Sequence, residues 1–195
     1  MCLGFDGSES NDWTGIKAET IDGMLFTPRY GPSKSPTYWD PSRTGDQIPR
    51  TEVRAAVDEL FERFDVARMY GDPPDWRSEI GEWAMRHGVD HVFEWPTYRP
   101  KQMHEELKRF RTDLVTGRLT HDGCPVTETH VKNAIMRAQT NQRYVLGKPL
   151  GAHHQKIDLA MCSVLAHTAA SDARMDGWGA APPQSRISHA VYGFN

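Results

Sequence analysis

The chain has 195 residues, 38% hydrophobic and 25% charged, with six Trp, a size and mix that fit one globular domain with a sizeable core. A net charge of −3 excludes a global basic field announcing a nucleic-acid partner, so any such contact must come from a local patch. Cys2, Cys124 and Cys162 stand far apart without a CxxC pair, which fits reduced thiols in an intracellular protein, and the sequence has neither a membrane-length apolar run nor a signal-peptide pattern.

Cys2-Leu3-Gly4-Phe5 predicts a buried strand ending at Asp6, before the turn Gly7-Ser8. Residues 13–20 predict a second strand, Asp22-Gly23 a hairpin turn, and Met24 to Thr27 a third, making a three-stranded meander. Five prolines between positions 28 and 49 predict a long surface excursion without regular structure. Within it Tyr38-Trp39 is read as an aromatic pair pinning the loop to the body. Thr51 is a predicted N-cap, followed by a helical stripe of Val53, Val57, Leu60, Phe61 and Phe64.

Residues 66–71 predict a strand that runs into Asp72 and is stopped by Pro73-Pro74. Asp72 repeats the situation of Asp6, an acid at the C-terminal edge of a strand, where ligands gather in sheets with parallel strands. Asp75 is read as the cap of a helix bearing Trp76, Ile80 and Trp83 and ending at Gly88. Another strand follows at 91–95, and Pro100 opens a helix with the stripe Met103, Leu107, Phe110 and Leu114. Its other faces and the residues just beyond it carry Lys101, Lys108, Arg109, Arg111 and Arg118, the best local basic patch. Thr127 is a predicted cap for a helix through Ala138, with Val131, Ala134, Ile135 and Ala138 inward, and residues 142–150 predict a strand or hairpin with Arg143 and Lys148. Ile157, Met161, Val164, Leu165 and Thr168 mark the buried stripe of a last helix, with Asp158 in its first turn. The expected division is one domain over 1–176 and a loose tail over 177–195.

Acids at the ends of two strands and at the start of a late helix resemble the arrangement of the RNase H-like nuclease superfamily. Within it the wording is similar to the nuclease domain of tailed-phage large terminase subunits. The residues that carry the resemblance are Leu3 to Ser8 with Asn11 to Thr14, Met69 to Trp76, Gly117 to Gly123 with Val131 and Asn133, and His154 to Asp158 with Ala160. The resemblance implies an α/β fold with a central mixed sheet, an antiparallel meander plus parallel strands, flanked by helices. It implies a DNA endonuclease of little sequence preference that cuts concatemeric viral DNA during packaging. Asp6, Asp72 and Asp158 match the family's catalytic and metal-binding acids, which hold magnesium or manganese, two ions, for phosphodiester hydrolysis.

Asp12 matches an accessory acid of some relatives, or else makes an Asx turn with Asn11. Lys156 reads equally as a phosphate contact and as a surface lysine. A direct role for His153 and His154 is disfavoured, because adjacent side chains point apart and hard-oxygen metal sites seldom recruit imidazole. DNA contacts are expected from Lys156, Lys101, Lys108, Arg109 and Arg118. The sequence has no GxxxxGK[ST] phosphate loop, so the chain is expected to stand without the packaging ATPase domain of complete subunits and not to bind ATP. Expected partners are double-stranded DNA, that ATPase domain, and the portal and small terminase subunit, in the host cytoplasm at the procapsid. Two alternatives remain: a Holliday-junction resolvase or transposase-like nuclease of the same fold, and a non-catalytic module that docks on DNA or portal.

Overall fold

The structure, a computed structural model, describes residues 1–152 and 154–180. Along these residues the elements are β1 (Cys2–Asp6), β2 (Thr14–Glu19), β3 (Met24–Phe26), β4 (Arg29–Tyr30), β5 (Ser35–Pro36), β6 (Tyr38–Trp39), α1 (Arg50–Arg63), β7 (Arg68–Gly71), α2 (Arg77–His87), β8 (Val92–Glu94), α3 (Pro100–Val115), β9 (Thr120–His121), α4 (Pro125–Asn133), β10 (Ile135–Ala138), β11 (Tyr144–Gly147) and α5 (Asp158–Met175). The main sheet runs β8-β7-β1-β2-β3-β9, with β6 also paired to β2. β1, β2 and β3 are the antiparallel meander, while β7 and β8 add in parallel beside β1 and β9 in parallel beside β3. The sheet is thus mixed and flanked by helices, the expected class.

Alternation along the central strands sends side chains to two helix layers. Leu3 and Phe5 of β1, with Ile16, Ala18 and Met69, meet Val53, Val57 and Leu60 of α1, Ile80 and Trp83 of α2, and Trp76 just before it. The other face presents Cys2 and Tyr70 to α3 and α5. On that face Gly4 and Gly15 have no side chain, and the space is filled by α5. A Cβ on Gly4 would lie 2.2 Å from the Ala166 nitrogen and 2.3 Å from the Cys162 carbonyl oxygen. The two glycines let the helix rest on the strands themselves, and the Cys162 thiol donates to the Gly15 carbonyl at 3.2 Å.

Several expectations are corrected. The 28–49 segment is not devoid of regular structure: β4 and β5 form a hairpin, and β6 joins the sheet with Thr14 opposite Trp39. Trp39 is buried and donates from its indole to the Tyr30 hydroxyl, so this aromatic does pin the segment. Thr51, Asp75 and Thr127 are not N-caps; Pro49, Trp76 and Cys124 hold those positions. In α4 the reason is Pro125, whose fixed φ and missing N–H suit the first helical position.

The helix expected through Ala138 ends at Asn133, and residues 135–138 become β10, paired with β11. Asn141 and Gln142, both at positive φ, make the tight turn that a hairpin requires. Ile135 and Val131 are exposed rather than inward. α5 carries no single stripe; it is buried almost all round, as a helix enclosed by a sheet and other helices must be. Trp178 packs against the α3–α5 side, and residues 181–195 of the expected tail lie outside the described residues. Among the described residues no helix is long and apolar enough to cross a membrane.

Candidate metal centre

Two parallel strands place the first two acids. Phe5 pairs with Gly71, and the Asp72 amide donates to the Phe5 carbonyl at 3.1 Å, so Asp6 and Asp72 leave adjacent strands at the same level. Asp6, two residues beyond Gly4, points to the α5 side. α5 runs antiparallel to β1, so the turn that precedes Cys162 and Ala166 faces the end of the strand. That turn begins with Asp158, which is 6% exposed.

The neighbouring charges shift the acids in different directions. Burial, then the charges of Asp158, Asp72 and Asp12, push the Asp6 carboxyl well above the usual carboxylate range. Burial, and then the charge of Asp12, push Asp158 up to about 6. Asp72 is also raised by burial, although Thr97 donates to it from its amide at 3.0 Å and its hydroxyl at 2.7 Å. Asp12 goes the other way. Burial would raise it, but hydrogen bonds from Lys148 and Lys156 outweigh that and hold it below its ordinary value. Lys156 reaches Asp12 at 2.9 Å and also donates to the Asn11 carbonyl.

Oδ2 of Asp158 is buried with no hydrogen-bond partner among the described residues. An anionic oxygen left this way is costly unless a cation meets it, and carboxylate oxygens are the donors that magnesium and manganese prefer. The donor set therefore fits a hard divalent cation. It is not a closed cage, since among the described residues no three His, Cys, Asp or Glu side chains are gathered into one. Asp72 is turned onto Thr97 and Asp12 onto the two lysines, which is how mutually repelling carboxylates relax.

His130, Thr97 and Lys148 are at the site without having been anticipated there. His130 is buried and accepts the Leu159 amide on Nδ1 at 3.1 Å, so its proton sits on Nε2. Burial and the charges of Lys148 and Lys156 lower it to about 4. Its 3.9 Å approach to Asp158 is therefore a contact of a neutral ring, not an ion pair. Asn133, also on the α4 side, donates to the Lys156 carbonyl at 3.0 Å. Thr97 was findable, because it follows β8 at the same sheet edge as the acids; His130 had no signal in the sequence.

Beside the acids lies an open groove of about 390 Å³ lined by Trp13, His130, Asn133, His154 and Lys156 among others. His154 is exposed there, and His153 lies outside the described residues. The other basic candidates are elsewhere. Arg109 pairs with Glu106 and with Asp172 far along α5, Arg118 pairs with Asp113, and Lys108 lies 3.8 Å from Glu105. At 1.5 Å per residue Asp172 is about 20 Å along the helix from Asp158. Lys101 is exposed on the first turn of α3. Only Lys156 of the five stands with the acids.

No protein-family model matches the chain. A curated relative, the Gene 13 protein of Mycobacterium phage D29, is 33% identical over 182 residues, covering 88% of this chain and 29% of that protein. The chain thus spans less than a third of the length of that relative. Among solved structures, the large terminase nuclease from thermophilic phage G20c superposes with a TM-score of 0.62 at 13% identity, over 86% of this chain and 80% of that one. The same nuclease with bound magnesium gives 0.58 at 14% identity, over 86% and 79%. The chain has the fold of large terminase nuclease domains.

Proposed function

We propose that this chain is the nuclease domain of a tailed-phage large terminase, a metal-dependent DNA endonuclease that cuts concatemeric viral DNA during packaging. What supports the reading is that Asp6 at the end of β1 and Asp72 just after β7 leave paired strands at one level, with Asp158 opening the helix packed over β1, on a fold shared with such nucleases. Residues 1–176 form the catalytic unit in this reading. Its partners are double-stranded DNA, the packaging ATPase, portal and small terminase subunit, at the procapsid in the host cytoplasm.

The three acids would hold magnesium or manganese, in a two-ion arrangement, with Asp12 as an accessory ligand. Bound there, the ions supply Lewis acidity and charge neutralisation at a phosphodiester. The chain's own residues do the rest. Lys156 and Lys148 stand beside the acids, and both can exchange Asp12 for a phosphate oxygen of DNA. Neutral His130 fixes the first turn of α5 and so the direction of Asp158. Contacts of this kind carry no base information, which accords with low sequence preference.

The test is cleavage of supercoiled plasmid with manganese, magnesium or a chelator, comparing the parent with Asp158→Asn. Metal-dependent nicking and linearisation by the parent, lost in a folded variant, is the expected result. Cutting that survives Asp158→Asn overturns the assignment of the acids.

A further inference from the structure

Two elements lead away from the acids side by side. Thr97, which holds Asp72, lies shortly before α3, and Lys148, which reaches Asp12, directly follows β11. The two elements stay together, since the Tyr144 amide donates to Nδ1 of His104 at 3.3 Å and the two rings meet edge to face with centroids 4.4 Å apart. Between them opens a groove of about 520 Å³, lined by His104, Lys108, Arg111, Thr112, Val115 and Tyr144 among others. The α3 side of this groove is basic at helical spacing: His104, Lys108 and Arg111 lie on one face, and Lys101, one turn earlier, continues the stripe. Lys101, Lys108 and Arg111 are exposed. Glu105 approaches Lys108 only to 3.8 Å, and among the described residues Lys101 and Arg111 have no carboxylate within ion-pair distance. Arg109 and Arg118, by contrast, are held by Glu106, Asp172 and Asp113.

We infer that this groove is a second contact with duplex DNA, remote from the acids, along which the arm of the duplex on the Asp72 side is laid. The inference rests on DNA being the substrate. Uncancelled cations in a row, on a chain whose net charge is −3, complement a regular polyanion. From Lys101 to Arg111 the helix rises about 15 Å, a length over which one strand of a duplex presents about four phosphates. Lys101, Lys108 and Arg111 therefore follow one phosphate backbone, with His104 offering its remaining ring N–H beside them. Such contacts hold the duplex in place without reading its sequence.

The test is binding of the intact chain to a labelled blunt duplex in chelator, where nothing is cut, followed by fluorescence anisotropy across a salt series. Lys101→Gln/Lys108→Gln/Arg111→Gln should bind several-fold more weakly at low salt, and the slope of log affinity on log salt should shrink by about 2–3. Arg63→Gln/Arg86→Gln/Arg118→Gln removes the same charge from arginines already paired with acids and should leave the slope close to that of the parent. Equal melting temperatures of the α3 triple and the parent show that the fold is kept. An equal loss in both triples, which would make the effect one of overall charge, overturns the inference. So does an unchanged slope in the α3 triple, which would leave the groove to an acidic protein surface. Plasmid cutting by the parent with manganese, run alongside, separates the two readings: cutting together with an unchanged slope in the α3 triple retains the nuclease and removes the second contact, whereas a parent that neither cuts nor binds duplex removes both.

Discussion

Nδ1 of His130 accepts the amide of Leu159 at 3.1 Å, so a histidine on α4 does for α5 what a serine or aspartate N-cap does from within a chain segment. The N-cap position itself, Ile157, offers no side-chain acceptor. His130→Ala should lower stability by about 1–3 kcal/mol through the lost cap and the vacated volume. His130→Asn, which retains an acceptor near Nδ1, should recover part of it. Urea denaturation of the three proteins checks this, and an Ala variant as stable as the parent would remove His130 from the account.

Asp158 predicts a pH dependence with a definite sign. Its folded pKa of about 6 lies above the ordinary carboxylate value, so between about pH 4 and 6 the folded chain keeps a proton that the unfolded chain has released. The group's contribution to stability is present below that window and is lost as pH rises through it. In chelator at pH 8, Asp158→Asn should therefore be more stable than the parent, by on the order of 2–3 kcal/mol. The gain should vanish below pH 4. Denaturation at the two pH values decides it.

Gly4 and Gly15 should respond differently to alanine. The new methyl of Gly4→Ala meets backbone atoms of α5 at 2.2 and 2.3 Å, whereas that of Gly15→Ala meets the end of the Leu159 side chain at 2.3 Å. Backbone cannot step aside within a rigid helix, so Gly4→Ala should cost at least the roughly 1–3 kcal/mol of overpacking and lower any metal-dependent cleavage by displacing Asp158. Gly15→Ala should be milder. Equal melting temperatures for the two variants would contradict this.

Lys148 and Lys156 together neutralise Asp12. Lys148→Met removes one positive charge from the neighbourhood of Asp6 and Asp158, so manganese should bind more tightly while DNA affinity falls. Titration calorimetry with manganese and a salt series of DNA binding measure the two effects. A variant weakened for both ligands would instead point to local unfolding of the β10–β11 hairpin.

The meander, the strand into Asp72 and the late helix at Asp158 were legible because each ends in a strong local signal: a Gly turn, a Pro pair, a sustained apolar run. What escaped was decided by partners distant in sequence. β6 and β9 are strands only because β2 and β3 offer them edges. Residues 135–138 read as helix until the Asn141-Gln142 turn is weighed, and two consecutive positive-φ residues without glycine are a weak cue. At the candidate site the three acids were visible as residue types at strand and helix ends, whereas His130 and Lys148 are defined by contacts made across the fold. The basic residues of α3 are paired mostly with acids of their own neighbourhood, a pairing that a count of lysines and arginines along the chain does not reveal.

Seating α5 on β1 and β2 also fixes when the acid cluster can exist. The Cys162–Gly15 hydrogen bond spans 147 positions, and the same helix that makes it delivers Asp158 to Asp6. Contacts of such separation form late and slow a chain's folding. A nascent polypeptide that has emerged only as far as α4 carries Asp6 and Asp72 on paired strands but lacks the third carboxylate and the helix that covers them. The cluster is assembled only once α5 has been made and has docked on β1 and β2, so a chain interrupted before Asp158 cannot form it.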